Sequence, residues 1–177
     1  MIKSQKVKNN SAMIGNKMGM KINVPKPVII CIGTPKVEGD SLGPKVGDIL
    51  IKKMNIGAYV YGKTSSPVTG VNCKKYFEHI KTHHSHSLVI AVDACLGSKD
   101  DVGKIKYTFD GLRAGSALNK QLGKFGDIGM LGIVAESGPN NMASLVRASS
   151  KNVDELALKI AEKIYNLISD LRLTYIF

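Results

Sequence analysis

The chain has 177 residues, 44% of them apolar, and no apolar run approaches the ~20 residues that a membrane helix needs. That length builds one domain with a real core and falls short of two comfortable ones. The formal net charge is +11, and Lys3, Lys6, Lys8, Lys17, Lys21 and Lys26 put six of those charges into residues 1–26, which hold no acid.

Residues 1–26 read as a flexible basic leader ahead of a single α/β domain, 27–177. The leader lacks the apolar core of a signal peptide, so a cytoplasmic protein is expected. A basic arm suits an acidic partner or nucleic acid, although no aromatic residue is interleaved with its lysines to stack on bases. A solvated leader without a binding role is the other reading. Cys31, Cys73 and Cys95 are widely spaced and form no CxxC pair, which predicts buried, reduced thiols.

Val28 to Ile32 is an unbroken, mostly β-branched apolar run, the pattern of a strand buried on both faces of a parallel sheet. Gly33 ends it, and a loop with Gly39, Asp40 and Gly43 leads to Pro44. Proline suits a first helical turn, so a helix is predicted from Pro44 to Met54, capped by Ser41 or Gly43. Ala58 to Gly62 reads as a strand, Asn72 to Thr82 as a helix, and Ser87 to Asp93 as a second buried strand. His83, His84 and His86 lie between the last two. Ala94 to Val102 is expected to be a loop, Gly103 to Phe109 a half-exposed strand, and 111–126 irregular. Ile128 to Ala135 is a further strand, and Gly138-Pro139-Asn140-Asn141 a turn that caps a short helix. Val153 to Leu171 carries an apolar stripe at helical spacing. Strands alternating with helices predict a three-layer α/β fold, a mixed and mostly parallel sheet with helices on both faces.

Two acids stand at the carboxyl ends of the buried strand runs, Asp40 and Asp93. Open α/β sheets place their ligand crevices there. A carboxylate at the end of an apolar run is costly unless something pairs or uses it. Two neighbouring carboxyls share a proton and titrate as a unit. The helix start near Pro44 favours the charged form of Asp40, so Asp40 is assigned as base and Asp93 as acid. In the competing reading, Asp40 caps a helix and Asp93 caps a loop. Gly33-Thr34-Pro35 lacks the second glycine of a dinucleotide loop, and no P-loop is present. The histidines read as a solvated turn rather than a metal site. Cys95 is weighed as a nucleophile beside Asp93, but the histidines precede the opposite end of the strand. Arg113, Asn119 and Lys120 lie in the irregular segment, where they either orient substrate or face solvent.

These motifs together resemble one known family. Gly33-Thr34, Gly39-Asp40-Ser41-Leu42-Gly43-Pro44, Tyr61-Gly62-Lys63, Ile90-Ala91-Val92-Asp93-Ala94-Cys95-Leu96-Gly97, Ala114-Gly115-Ser116-Ala117-Leu118-Asn119-Lys120, Gly126-Asp127-Ile128 and Gly132-Ile133-Val134 are similar to the sporulation protein YyaC family, over about residues 28–170. That family is similar in turn to the spore germination protease and, more distantly, to the hydrogenase maturation proteases, whose fold the resemblance implies. In the germination protease a pair of aspartates is catalytic, and their motifs fall on Asp40 and Asp93. Its Gly-Ser and Asn-Lys stretch falls on Gly115, Ser116, Asn119 and Lys120. Gly39, Ser41, Cys95 and Arg113 are carried as supporting residues. The implied activity is proteolysis of a protein or peptide substrate, with small acid-soluble spore proteins as the substrate class and the sporulating cell or forespore as the place. The hydrogenase maturation proteases place a nickel-recognising Glu and Asp here with a histidine; Arg113 or Ser116 stands near that histidine's place. No cofactor is expected, a divalent metal at Asp40 and Asp93 being a third reading. A non-catalytic protein of the same fold that binds a partner is the alternative to a peptidase. The apolar end Leu171–Phe177 suits either core packing or a homo-oligomer interface.

Overall fold

The computed structural model describes residues 25–113 and 124–176, with the backbone alone at 113 and at 172–176. Strand β1, Val28–Cys31, has all four residues fully buried, as its unbroken apolar run predicts. It pairs in parallel on both sides, with β2, Tyr59–Tyr61, through Ile29↔Val60, and with β3, Val89–Gly97, through Ile29↔Ile90. β3 pairs in parallel with β7, Ile128–Glu136, and β4, Ile105–Thr108, closes the far edge antiparallel to β7. The sheet order among the described residues is β2-β1-β3-β7-β4. A separate two-stranded ladder joins β5, Leu112–Arg113, to β6, Lys124–Phe125.

Side chains alternate across the strands, and each face acquires its own cover. Ile29, Cys31, Ile90, Val92 and Ala94 lie under α1, Leu42–Lys52, and α4, Ser150–Ile176. Val46 and Leu50 from α1 and Leu156, Ile160 and Ile164 from α4 fill that layer, with Leu145 from α3, Asn141–Val146. Val28, Ile30, Ile32, Val89 and Ala91 face the other way, against Cys73 and Ile80 of α2, Cys73–His83, and against Leu112 and Phe125 of the small ladder. Phe77 stacks on Phe125 with ring centroids 3.9 Å apart. Helices thus cover both faces, and the fold is the three-layer α/β arrangement expected.

The differences from the sequence expectation are local. α1 begins at Leu42, two residues early, behind a 3-10 turn Gly39–Ser41. Pro44 is still inside the first turn, where its missing N–H loses no bond. β3 does not stop at Asp93 but runs to Gly97, because nine-residue β7 pairs with it as far as Gly97↔Glu136. The loop expected from Ala94 shrinks accordingly. The irregular stretch 111–126 is framed by β5 and β6, while 114–123, which hold Ser116, Asn119 and Lys120, lie outside the described residues. So do residues 1–24 of the basic leader and the side chains of the apolar C-terminus from 172 onward.

Candidate active site

From β1 the chain turns one way to β2 and the other way to β3. The carboxyl ends of β1 and β3 are therefore the switch point of the sheet, where open α/β folds form their crevice. Both acids of interest belong to this edge. The amide of Ile32 donates to the carbonyl of Val92 at 2.8 Å, one residue before Asp93. Two residues after Ile32, the amide of Thr34 donates to Asp40 Oδ2 at 2.9 Å.

Asp40 is the middle residue of the 3-10 turn and is half-buried. The turn is held at several points. Gly33 donates to the Val68 carbonyl at 2.8 Å and has φ +143°, and a Cβ there would overlap the Asp40 carbonyl oxygen, so the turn requires glycine. Gly39 is packed on Leu145 and Val134. Ser41 is buried, and its hydroxyl donates to the Glu38 carbonyl at 2.6 Å. Ser41 occupies the cap position of α1 without a side-chain capping bond. Lys45 reaches both Glu38 and Asp154 at 2.8 Å, tying the loop to α4. Burial draws the Lys45 ammonium down, but the two carboxylates outweigh it and its pKa is raised. Burial pushes the Asp40 carboxyl above the usual aspartate range, against the opposing pull of the Thr34 amide. The helix start was expected to favour the charged form; desolvation wins instead.

Asp93 is 3% exposed in the middle of β3, not at the strand's end. It is nevertheless the first β3 residue beyond the last β1 partner, Cys31↔Val92. Its Oδ1 accepts from the Ala94 amide at 2.8 Å. Alternation puts it on the face of Val89 and Ala91, the side of the β5–β6 ladder. Cys95 follows on the same face and is buried. Burial first and the Asp93 charge second push its thiol up to about 11, with Lys106 opposing. A thiol so held is neutral near pH 7, which removes the nucleophile reading of Cys95. All three cysteines are buried thiols outside any disulfide.

Arg113 pairs with Lys124 through the backbone at the mouth of the small ladder. The histidines are far from this edge. His83 ends α2, and His84 caps it, its Nε2 lying 2.8 Å from the Tyr61 hydroxyl, just before the amino end of β3. The turn is exposed at His83 and His86, as expected, while His84 is half-buried against Tyr61. The nickel-type set of two acids and a histidine is not assembled, since no histidine stands at the carboxyl edge. Among the described residues no group of three or more His, Cys, Asp or Glu side chains could hold a metal ion.

Two features of this edge escape a reading of the sequence. One is the Thr34 amide, because Gly33-Thr34-Pro35 draws notice only as an incomplete dinucleotide motif. The other is a cleft of about 490 Å³ at the carboxyl end of β7, lined by Glu136, Asn140, Ser144 and Arg147 among others. Chemically, half-buried Asp40 can take a proton from water and return it, while Asp93 is buried.

The fold is similar to that of the NiFe hydrogenase maturation protease HycI from Thermococcus kodakarensis KOD1, with a TM-score of 0.56, 19% identity, and coverage of 81% of this chain and 92% of that one. At that identity the likeness shows the fold alone. The uncharacterized protein YyaC of Bacillus subtilis (strain 168) is 43% identical over 112 residues, which is 63% of this chain and 54% of YyaC. The chain thus spans about half the length of the curated relative it matches. A family model described as a protein of unknown function (DUF1256) matches residues 2–167, so the matched region takes in the lysine-rich stretch that the motif resemblance left outside. By that match the chain belongs to the DUF1256 family.

Proposed function

We propose that this protein is a peptidase in which Asp40 and Asp93 handle the proton of an attacking water. The observation that supports this best is that both acids belong to the carboxyl edge of β1 and β3, Asp40 half-buried in the turn after β1 and Asp93 buried on β3. One carboxylate takes a proton from water as it adds to the peptide carbonyl. The other, protonated, gives its proton to the leaving amine. The raised carboxyl of Asp40 suits the proton-carrying half, with Asp93 as base, the reverse of the order expected from the helix start. A protein substrate fits the fold likeness. Small acid-soluble spore proteins, and action in the cytoplasm of the sporulating cell or forespore, follow from the motif resemblance. Residues 27–177 form the catalytic unit and 1–26 an appended basic arm. No helix among the described residues is long and apolar enough to cross a membrane.

The test is incubation of the full chain with small acid-soluble spore proteins and with unrelated peptides, reading new termini by mass spectrometry. New termini that vanish with both Asp40→Asn and Asp93→Asn support the dyad. Cleavage that survives both changes overturns it. Cleavage abolished by a chelator and restored by a divalent cation replaces it with metal-assisted hydrolysis. The alternative, a non-catalytic binding protein of the same fold, is favoured by the burial of Asp93, only 3% exposed. It predicts complex formation with no new termini.

A further inference from the structure

The side of the molecule made by β2 and α2 has no part in the peptidase chemistry, and its composition is unusual. From Ile49 to Val92 the chain carries Lys52, Lys53, Lys63, Lys74, Lys75 and Lys81 against Glu78 as the one acid. All four histidines lie in the same span. The fold collects its rings there. Tyr61 sits with its hydroxyl 2.8 Å from His84 Nε2 and 3.4 Å from His79 Nε2. Tyr59 meets His84 with centroids 4.5 Å apart, and His79 stacks on His83 at 4.3 Å. Tyr61 also packs edge-on against Tyr76 at 5.9 Å. This array is only partly covered: Tyr59 is 45% exposed, and His79 and His83 are exposed.

Cations border the rings on both sides. Lys26, the last of the six leader lysines, has its Nζ 5.9 Å over the Tyr59 ring. Lys75 is one helical turn before His79, so Lys75, His79 and His83 form an exposed stripe along α2 at a spacing of four. The leader lacks interleaved aromatic residues in sequence; the fold supplies them at its end. β2 is moreover the outer strand of the sheet among the described residues.

We propose that the β2–α2 border, with Tyr59, His79 and His83 as stacking surface and Lys26 and Lys75 as phosphate contacts, binds single-stranded nucleic acid. Exposed π-faces beside a cationic stripe are what unpaired bases on a phosphate backbone require. An acidic protein would use the lysines and leave the rings without a partner. A duplex hides its base faces and would do the same. The inference is independent of the peptidase reading, because none of these residues has a role in the proposed catalysis.

The experiment is fluorescence anisotropy of the full chain with a labelled oligo-dT of roughly 20 nucleotides, competed by a duplex of equal length and by polyglutamate. The single strand is expected to bind more tightly than either competitor. Its log affinity should fall linearly with log salt, each phosphate contact adding about 0.7 to the slope. Tyr59→Leu keeps the apolar bulk and removes the π-face, and should weaken the single strand about tenfold while leaving polyglutamate binding unchanged. Lys75→Glu should weaken all three ligands and flatten the salt slope. Tyr59→Trp should retain or improve binding, which distinguishes lost stacking from a damaged fold. Equal competition by polyglutamate would make this border an acidic-protein surface and overturn the proposal. So would an unchanged oligo-dT affinity in Tyr59→Leu, or no binding at low salt.

Discussion

The amide of Thr34 donates to Asp40 twice, to the carboxylate Oδ2 at 2.9 Å and to the backbone oxygen at 3.0 Å. One N–H thereby fixes both the turn and the orientation of the acid it carries. The bond to Oδ2 stabilises the charged carboxyl, yet burial overrides it and the group ionises later than a free aspartate.

That balance sets a pH dependence. Asp40 holds its proton to higher pH in the folded chain than in the unfolded one. The folded state binds more protons in between, so this group's contribution to stability falls as pH rises from the pKa of a free aspartate through its own. Asp40→Asn keeps an acceptor for Thr34 and removes the buried charge. Its melting temperature should exceed wild type at neutral pH, and the difference should vanish in acid, as read by thermal unfolding across pH. Peptidase activity should fall by about 10²–10⁴-fold, the usual worth of a positioned acid or base.

Asp93 separates chemistry from packing. Asp93→Asn should abolish cleavage and leave the chain folded, since the amide oxygen still accepts from Ala94. Asp93→Ala leaves that buried N–H without its acceptor and should cost about 1–3 kcal/mol in addition. Denaturant titration of the two variants beside the activity assay distinguishes these effects.

Gly33 and Gly62 make a matched pair for the turn. Gly33 has φ +143° and a Cβ there would overlap the Asp40 carbonyl oxygen; Gly62 has φ +86° and a Cβ there would overlap the Cys31 carbonyl oxygen. Either alanine should destabilise the chain by about 3 kcal/mol. Only Gly33→Ala displaces Asp40 directly. Activity per folded molecule should therefore collapse in Gly33→Ala and survive in Gly62→Ala, measured at a temperature where both are folded.

Cys95 should be inert. With its thiol held up to about 11 by burial and the neighbouring Asp93, alkylation by iodoacetamide near pH 8 should be slow until the chain unfolds. Cys95→Ala should keep peptidase activity within about threefold of wild type, because a neutral buried thiol supplies neither nucleophile nor base. Mass spectrometry of the labelled thiol in native and denatured protein checks the first point.

Much of this was legible in the residues alone. The unbroken run Val28–Ile32 names a strand buried on both faces, because only a position inside a parallel sheet removes every side chain from water. Repetition of such runs with amphipathic helices between them implies the layered α/β fold. Asp40 and Asp93 stand out because a carboxylate beside a long apolar run is expensive unless used or paired. Pairing partners lie beyond that reading. Where β3 ends depends on β7 lying beside it as far as Glu136, a contact between segments some forty residues apart, so Asp93 moved from strand end to strand middle. The protonation of Asp40 followed burial beneath its neighbours rather than the helix start next to it in sequence. His84, read as part of a solvated turn, became a partner of Tyr61 because α2 folds back against β2. Local pattern determines which segments are strands and helices, since it reports backbone propensity and the period of burial. Desolvation and the meeting of distant side chains are set by packing, and only the tertiary structure decides them.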